Sequence, residues 1–112
     1  MTPTNQTKMH SEKQKGNCFA ACLASLFDIP LKEIPAFEES KNWGCDFIDW
    51  IDKNNIDYTM HNTPPKGYAM ANGISPRGIR HSVIVKDGRF FHDPHPSREF
   101  LTKINDYWLF TK

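Results

Sequence analysis

The chain has 112 residues, with 14 Lys and Arg against 13 Asp and Glu, for a formal net charge of +1. That length suits one core, so two domains closing on a shared cleft are excluded and residues 1–112 are expected to form a single domain. Near-neutral charge leaves no basic footprint for nucleic acid, while eight Phe, three Trp and three Tyr call for a packed core rather than disorder.

The opening segment, Met1 to Lys8, is polar and reads as neither a signal peptide nor a membrane anchor. No later run reaches the ~18 apolar residues of a spanning helix, so no membrane partner is expected. Three cysteines, Cys18, Cys22 and Cys45, are an odd and sparse set, a poor match to a secreted disulfide framework. A reducing, cytoplasmic setting is the better reading.

Residues 1–15 read as an irregular lead-in broken by Pro3. Asn17 is placed to cap a helix running from Cys18 to Phe27, where alanines favour helix and Phe19, Leu23, Leu26 and Phe27 recur at helical spacing. Asp28-Ile29-Pro30 ends it. A helical turn at Leu31–Ile34 and a loop through Ser40 follow. Residues 42–54 then form an amphipathic helix capped by Asn42, with Trp43, Phe47, Trp50 and Ile51 on its core face. Cys22 and Cys45 are assigned to packing. Beyond Asn54-Asn55 the periodicity changes to extended runs: Ile56 to Met60, Gly67 to Ala71, Arg80 to Val85, Arg89 to Asp93 and Tyr107 to Phe110. Helices first and an antiparallel sheet afterwards make an α+β arrangement.

The chemistry concentrates on Cys18. A helix N-terminus favours negative charge, and a thiol placed there is more readily a thiolate. The imidazole that would serve it best is His81, at the head of a strand whose Val83, Ile84 and Val85 belong in a buried sheet. Asp93 would orient the ring and stabilise its charged form. Turn geometry decides whether Asp93 can reach. With Asp87-Gly88 as a two-residue loop, His81 would face Pro94 and Asp93 would point to the opposite face. With Lys86-Asp87-Gly88 as a three-residue loop and a bulge, Val85 pairs with Arg89, His81 pairs with Asp93, and both side chains share a face. The second register is the expectation, and it sends His92 to the other face.

Lys15-Gly16-Asn17-Cys18-Phe19 at a helix start resembles the Gly-Asn-Cys nucleophile motif of ovarian-tumour-type deubiquitinases. The later His-strand-turn-strand-Asp-Pro resembles the second half of papain-like cysteine peptidases, including bacteriocin-leader and NlpC-type cell-wall peptidases. Residues 16–26 with Pro30 and Pro35-Ala36-Phe37, then His81 to Val85 and His92 to Ser97, are similar to a family of small phage and bacterial proteins across nearly the whole chain. The resemblance implies a minimal papain-like core, cytoplasmic and in the host cytoplasm if phage-encoded. It implies a Cys18–His81–Asp93 triad, acyl-transfer chemistry on a peptide, isopeptide or ester, and no metal or other cofactor. It also implies a glutamine at the oxyanion hole beside the nucleophile's own N–H. Gln6, in its Gln6-Thr7 setting, fits the small family better than Gln14.

Asn17, Arg80 and His95 are candidate substrate contacts, although Arg77 and Arg80 read equally well as a solvated loop and His95 as the end of a strand. Two other uses of these residues are open. Cys18, Cys22, His92 and His95 could together ligate a metal, without the paired spacing of familiar zinc sites. Alternatively, the domain could be a catalytically silent papain-like module that binds a host protein or a small molecule.

Overall fold

The computed structural model describes residues 1–11 and 15–112, so Gln14 lies outside the described residues. Helix α1 spans Cys18–Phe27 and helix α2 Trp43–Lys53, with short 3₁₀ turns at Leu31–Glu33 and Phe37–Glu39 between them. Five strands follow: β1 Asp57–His61, β2 Tyr68–Ile74, β3 Arg80–Lys86, β4 Arg89–His92 and β5 Lys103–Thr111. They form one antiparallel sheet in the order β1-β5-β2-β3-β4. The chain is thus the α+β domain that its run of helices and then strands implies, with Cys18 opening the first helix. No helix among the described residues is long and apolar enough to cross a membrane.

Helix α1 is buried from Phe19 through Ser25, which its run of small side chains permits. It rests on Met70 and Ile84 of the sheet, and Phe19 joins it to an aromatic cluster, with ring centroids 6.2 Å from Phe37, 5.4 Å from Phe47 and 5.7 Å from both Trp43 and Trp108. Ala69, Ala71, Val83, Val85 and Tyr107 pack on the opposite face with Phe100, Leu101, Ile104 and Leu109. Burial on both faces is why Val83-Ile84-Val85 is uninterruptedly apolar. The last run extends well beyond Tyr107–Phe110 and takes an interior place between β1 and β2.

The hairpin differs from the expected register. Lys86 pairs with Arg89 and Val85 with Phe90, so Asp87-Gly88 is a two-residue turn with φ of 52° and 81°, the positive values a type I′ turn requires. Asp87 is anchored to the neighbouring connection: its Oδ1 accepts the Gly67 N–H at 2.7 Å and its own N–H donates to Gly67 O at 3.0 Å. The extra residue enters β4 instead, since the register shifts and Ile84 faces His92. Asp93 lies just past the strand and has no ladder partner. The expected bulge exists, but one step away from the turn.

Two helix-start expectations are also corrected. Asn17 holds the N-cap position of α1 without a side-chain capping bond. Its Oδ1 instead accepts the N–H groups of Thr7 and Lys8 at 3.0 and 2.9 Å, and its Nδ2 donates to Thr7 Oγ1 at 2.9 Å. Asn42 likewise makes no side-chain cap on α2. Cys45 is exposed rather than packed, and Trp43, expected in the core, is 44% exposed. The lead-in has no regular secondary structure in its described part, yet it is tied down along its length. Thr4 N–H donates to Ser25 Oγ at 2.8 Å, His92 Nε2 donates to Thr4 O at 2.9 Å, and Gln6 N–H donates to Pro94 O at 3.0 Å.

Candidate active site

Cys18 is half-buried at the first position of α1, and its neighbour Cys22, one turn on, is fully buried. Burial, followed by the charges of Cys18, Asp93 and Glu38, pushes the Cys22 thiol well up, which leaves it an inert core group. His81, the second residue of β3, is buried and donates from Nε2 to Asp93 Oδ1 at 2.7 Å. Cys18 lines the same two grooves as His81 and lies close enough to the imidazole to raise its pKa. Burial opposes the imidazolium, but the hydrogen bond to Asp93 and the nearby Cys18 outweigh it and raise the His81 pKa to about 9.

Asp93 is fully buried and well supplied with donors. Besides His81, the His95 N–H reaches Oδ1 at 2.9 Å and the Phe100 N–H reaches Oδ2 at 2.8 Å. Burial would raise its carboxyl pKa, yet these three bonds, His81 first, hold it below the ordinary range. The backbone around it is unusual, with positive φ at Arg98 and Phe100, and Arg98 Nη1 donates to Asp93 O. This connection folds back to present two amides to one carboxylate. Such support keeps Asp93 ionised and the ring oriented.

Gly73, opposite His81 on β2, sits at a second register shift. A Cβ there would lie 1.8 Å from Lys103 O, so only glycine lets β5 approach so closely. On the helix side, a Cβ on Gly16 would come within 3.2 Å of Gln6 Nε2, so the glycine two residues before the nucleophile leaves room for the Gln6 side chain. Gln6 is buried, and its Nε2 donates to Lys8 O at 2.8 Å while its Oε1 has no partner among the described residues.

Two grooves of about 350 and 420 Å³ meet over the pair, both lined by Lys15, Cys18, Glu38, Arg80 and His81. The first continues between Phe19, Phe37, Trp43 and Trp108 toward a polar end, where Ser82 Oγ donates to Asn72 Oδ1 at 2.6 Å and Asn72 Nδ2 to Asp106 Oδ1 at 3.0 Å. The second continues past Gln6, His10, Arg77 and His95. The structure therefore brings Cys18, His81, Asp93, Gln6, Arg80 and His95 together. It leaves out Asn17, which lines a separate groove and whose side chain is engaged by Thr7 and Lys8. Nor does the alternative metal set assemble: among the described residues no three His, Cys, Asp or Glu side chains are arranged so that they could hold a metal ion, and His92 faces Thr4.

Sequence reasoning missed Glu38. This carboxylate comes from the second 3₁₀ turn, accepts the Phe19 N–H at 3.1 Å, and so caps α1 in place of Asn17. Burial pushes its carboxyl above the ordinary range, outweighing the backbone hydrogen bonds from Glu38 itself, Ala20 and Phe19. Only the acidic pair Glu38-Glu39, shortly after Pro35, hinted at it, and nothing local tied it to a helix twenty residues earlier in the chain.

Fold and site together define an α+β domain with a Cys–His–Asp constellation where a helix start meets a sheet. Comparison with protein-family models, curated proteins and solved structures gave no match.

Proposed function

We propose that the protein is a papain-like cysteine hydrolase or acyltransferase acting on an amide, isopeptide or ester carbonyl. One observation carries this reading: a buried His81 ring, hydrogen-bonded to Asp93, lines the same grooves as Cys18 at a helix start. Cys18 Sγ attacks the carbonyl carbon, and the oxygen takes the electron pair. That oxyanion is met by the Cys18 N–H and by the Gln6 amide, which lines the same groove. As the carbon–leaving-group bond breaks, the His81 imidazolium gives its proton to the departing amine or alkoxide, leaving a thioester on Cys18. His81, now neutral, takes a proton from water, or from an acceptor amine, which attacks the thioester; the C–S bond breaks and Cys18 returns as the thiolate beside the imidazolium. No cofactor enters this sequence. All three cysteines are free, which suits a reducing, cytoplasmic setting.

The test is labelling with electrophilic peptide, ubiquitin-like and cell-wall probes, comparing wild type with Cys18→Ala. Covalent capture at Cys18 by one probe class, lost in His81→Ala, is the expected result. If iodoacetamide alkylates Cys18 no faster than Cys45 at pH 6 to 7, and His81→Ala changes nothing, the domain is a silent binding module.

A further inference from the structure

Glu38 offers the cleft a buried acceptor that neither the fold nor the proposed chemistry uses. Glu38 Oε2 takes the Phe19 N–H, whereas Oε1 is buried and has no hydrogen-bond partner among the described residues. Lys15 and Arg80 line the same grooves, but among the described residues neither forms an ion pair with Glu38. A carboxylate oxygen stripped of water and left without a donor is costly, and a ligand that supplies the donor recovers that cost. A neutral N–H would satisfy the lone pair and leave the charge uncompensated. An ammonium would satisfy both.

The place of Glu38 limits where that ammonium can sit. Its carboxylate is bonded to the amide of the residue following Cys18, so the charge it receives must lie close to the carbonyl under attack. An amine on the carbon next to the scissile carbonyl has that spacing. The groove between Phe19, Trp43 and Trp108 opens from the same point and suits an apolar or aromatic side chain on that carbon.

Resting on the cysteine-hydrolase reading, we propose that Glu38 receives the free α-ammonium of the acyl group, so that the substrate is an unblocked aminoacyl unit with an apolar side chain. Glu38 is then a specificity-determining residue as well as the cap of α1. Burial raises the Glu38 carboxyl pKa, a cost that a ligand's cation would offset.

The experiment compares two phenylalanine-derived chloromethyl ketones, one with a free amine and one N-acetylated, as reagents for Cys18 in wild type, Glu38→Gln and Glu38→Asp. The wild type should react at least ten-fold faster with the free amine. Glu38→Gln, which keeps an acceptor for the Phe19 N–H, should bring the ratio of the two rates to about one, and Glu38→Asp should restore part of it. Equal or faster reaction of the acetylated reagent in wild type overturns the inference and leaves the hydrolase reading standing. So does a Glu38→Gln variant that slows both reagents equally, since Glu38 is then a cap and nothing more. If neither reagent modifies Cys18 faster than it modifies Cys45, the hydrolase reading itself falls and the inference with it.

Discussion

Replacing Asp93 by Asn tests the centre of the site, because the two side chains share a shape and differ in charge. The rise of the His81 pKa from 6.5 to about 9 corresponds to ~3 kcal/mol of preference for the imidazolium. Asp93 supplies the largest favourable part of it, against the opposing effect of burial. In Asp93→Asn one acceptor oxygen remains for the two backbone amides and the ring, and the negative charge is gone. If His81 falls back to its ordinary value of about 6.5, its charged fraction at pH 7 drops from nearly complete to about one quarter. Losing the charge from a buried pair should also destabilise the fold by ~3 kcal/mol. The assays are Cys18 alkylation against pH, read by mass spectrometry, and urea unfolding.

The signs are definite. The folded pKa of His81 is raised, so its stabilisation is complete below about 6.5 and is lost as pH rises through about 9. The folded pKa of Asp93 is lowered, so its share is present above ~3.9 and is lost as pH falls through the lower folded value. Wild type should therefore weaken toward both extremes, and Asp93→Asn should lose most of both slopes. A well-folded Asp93→Asn variant that alkylates Cys18 at the wild-type rate across pH 6 to 9 would refute the claim that Asp93 sustains the His81 charge.

Gly73→Ala places a methyl 1.8 Å from Lys103 O, which the backbone of β5 must move to admit. Urea unfolding should show a loss of more than ~3 kcal/mol, with Cys18 reactivity falling as His81 shifts on the paired strand. Phe47 is 2% exposed and touches Phe19, Phe37, Tyr58 and Trp108, so Phe47→Ala should cost ~3–5 kcal/mol in the same assay. In native protein at neutral pH, iodoacetamide should spare the buried Cys22, whose thiol burial pushes up, and reach it only after unfolding; peptide mapping of the alkylated sites decides this.

Much of this architecture was legible without coordinates, because helices and strands are written in local periodicity. Cys18 at the head of a helix, His81 at the head of a strand and Asp93 after a turn are positions that short stretches of sequence define. What joins them was not. The Asp-Gly turn adopted its preferred two-residue form, and the residue that brings Asp93 to His81 entered β4 as a bulge beyond it. Asn17 has the chemistry of a cap, but the donors of Thr7 and Lys8 outcompete the helix for its oxygen.

By itself, then, the sequence determined the order of elements, the α+β class and the residue types of the candidate triad, since each rests on contacts within a few positions along the chain. Tertiary structure alone decided that β5 runs inside the sheet, that Gly73 must be glycine, and that Glu38 crosses from a 3₁₀ turn to the nucleophile's helix. These depend on which distant segments pack together, and no local pattern of side chains encodes that choice.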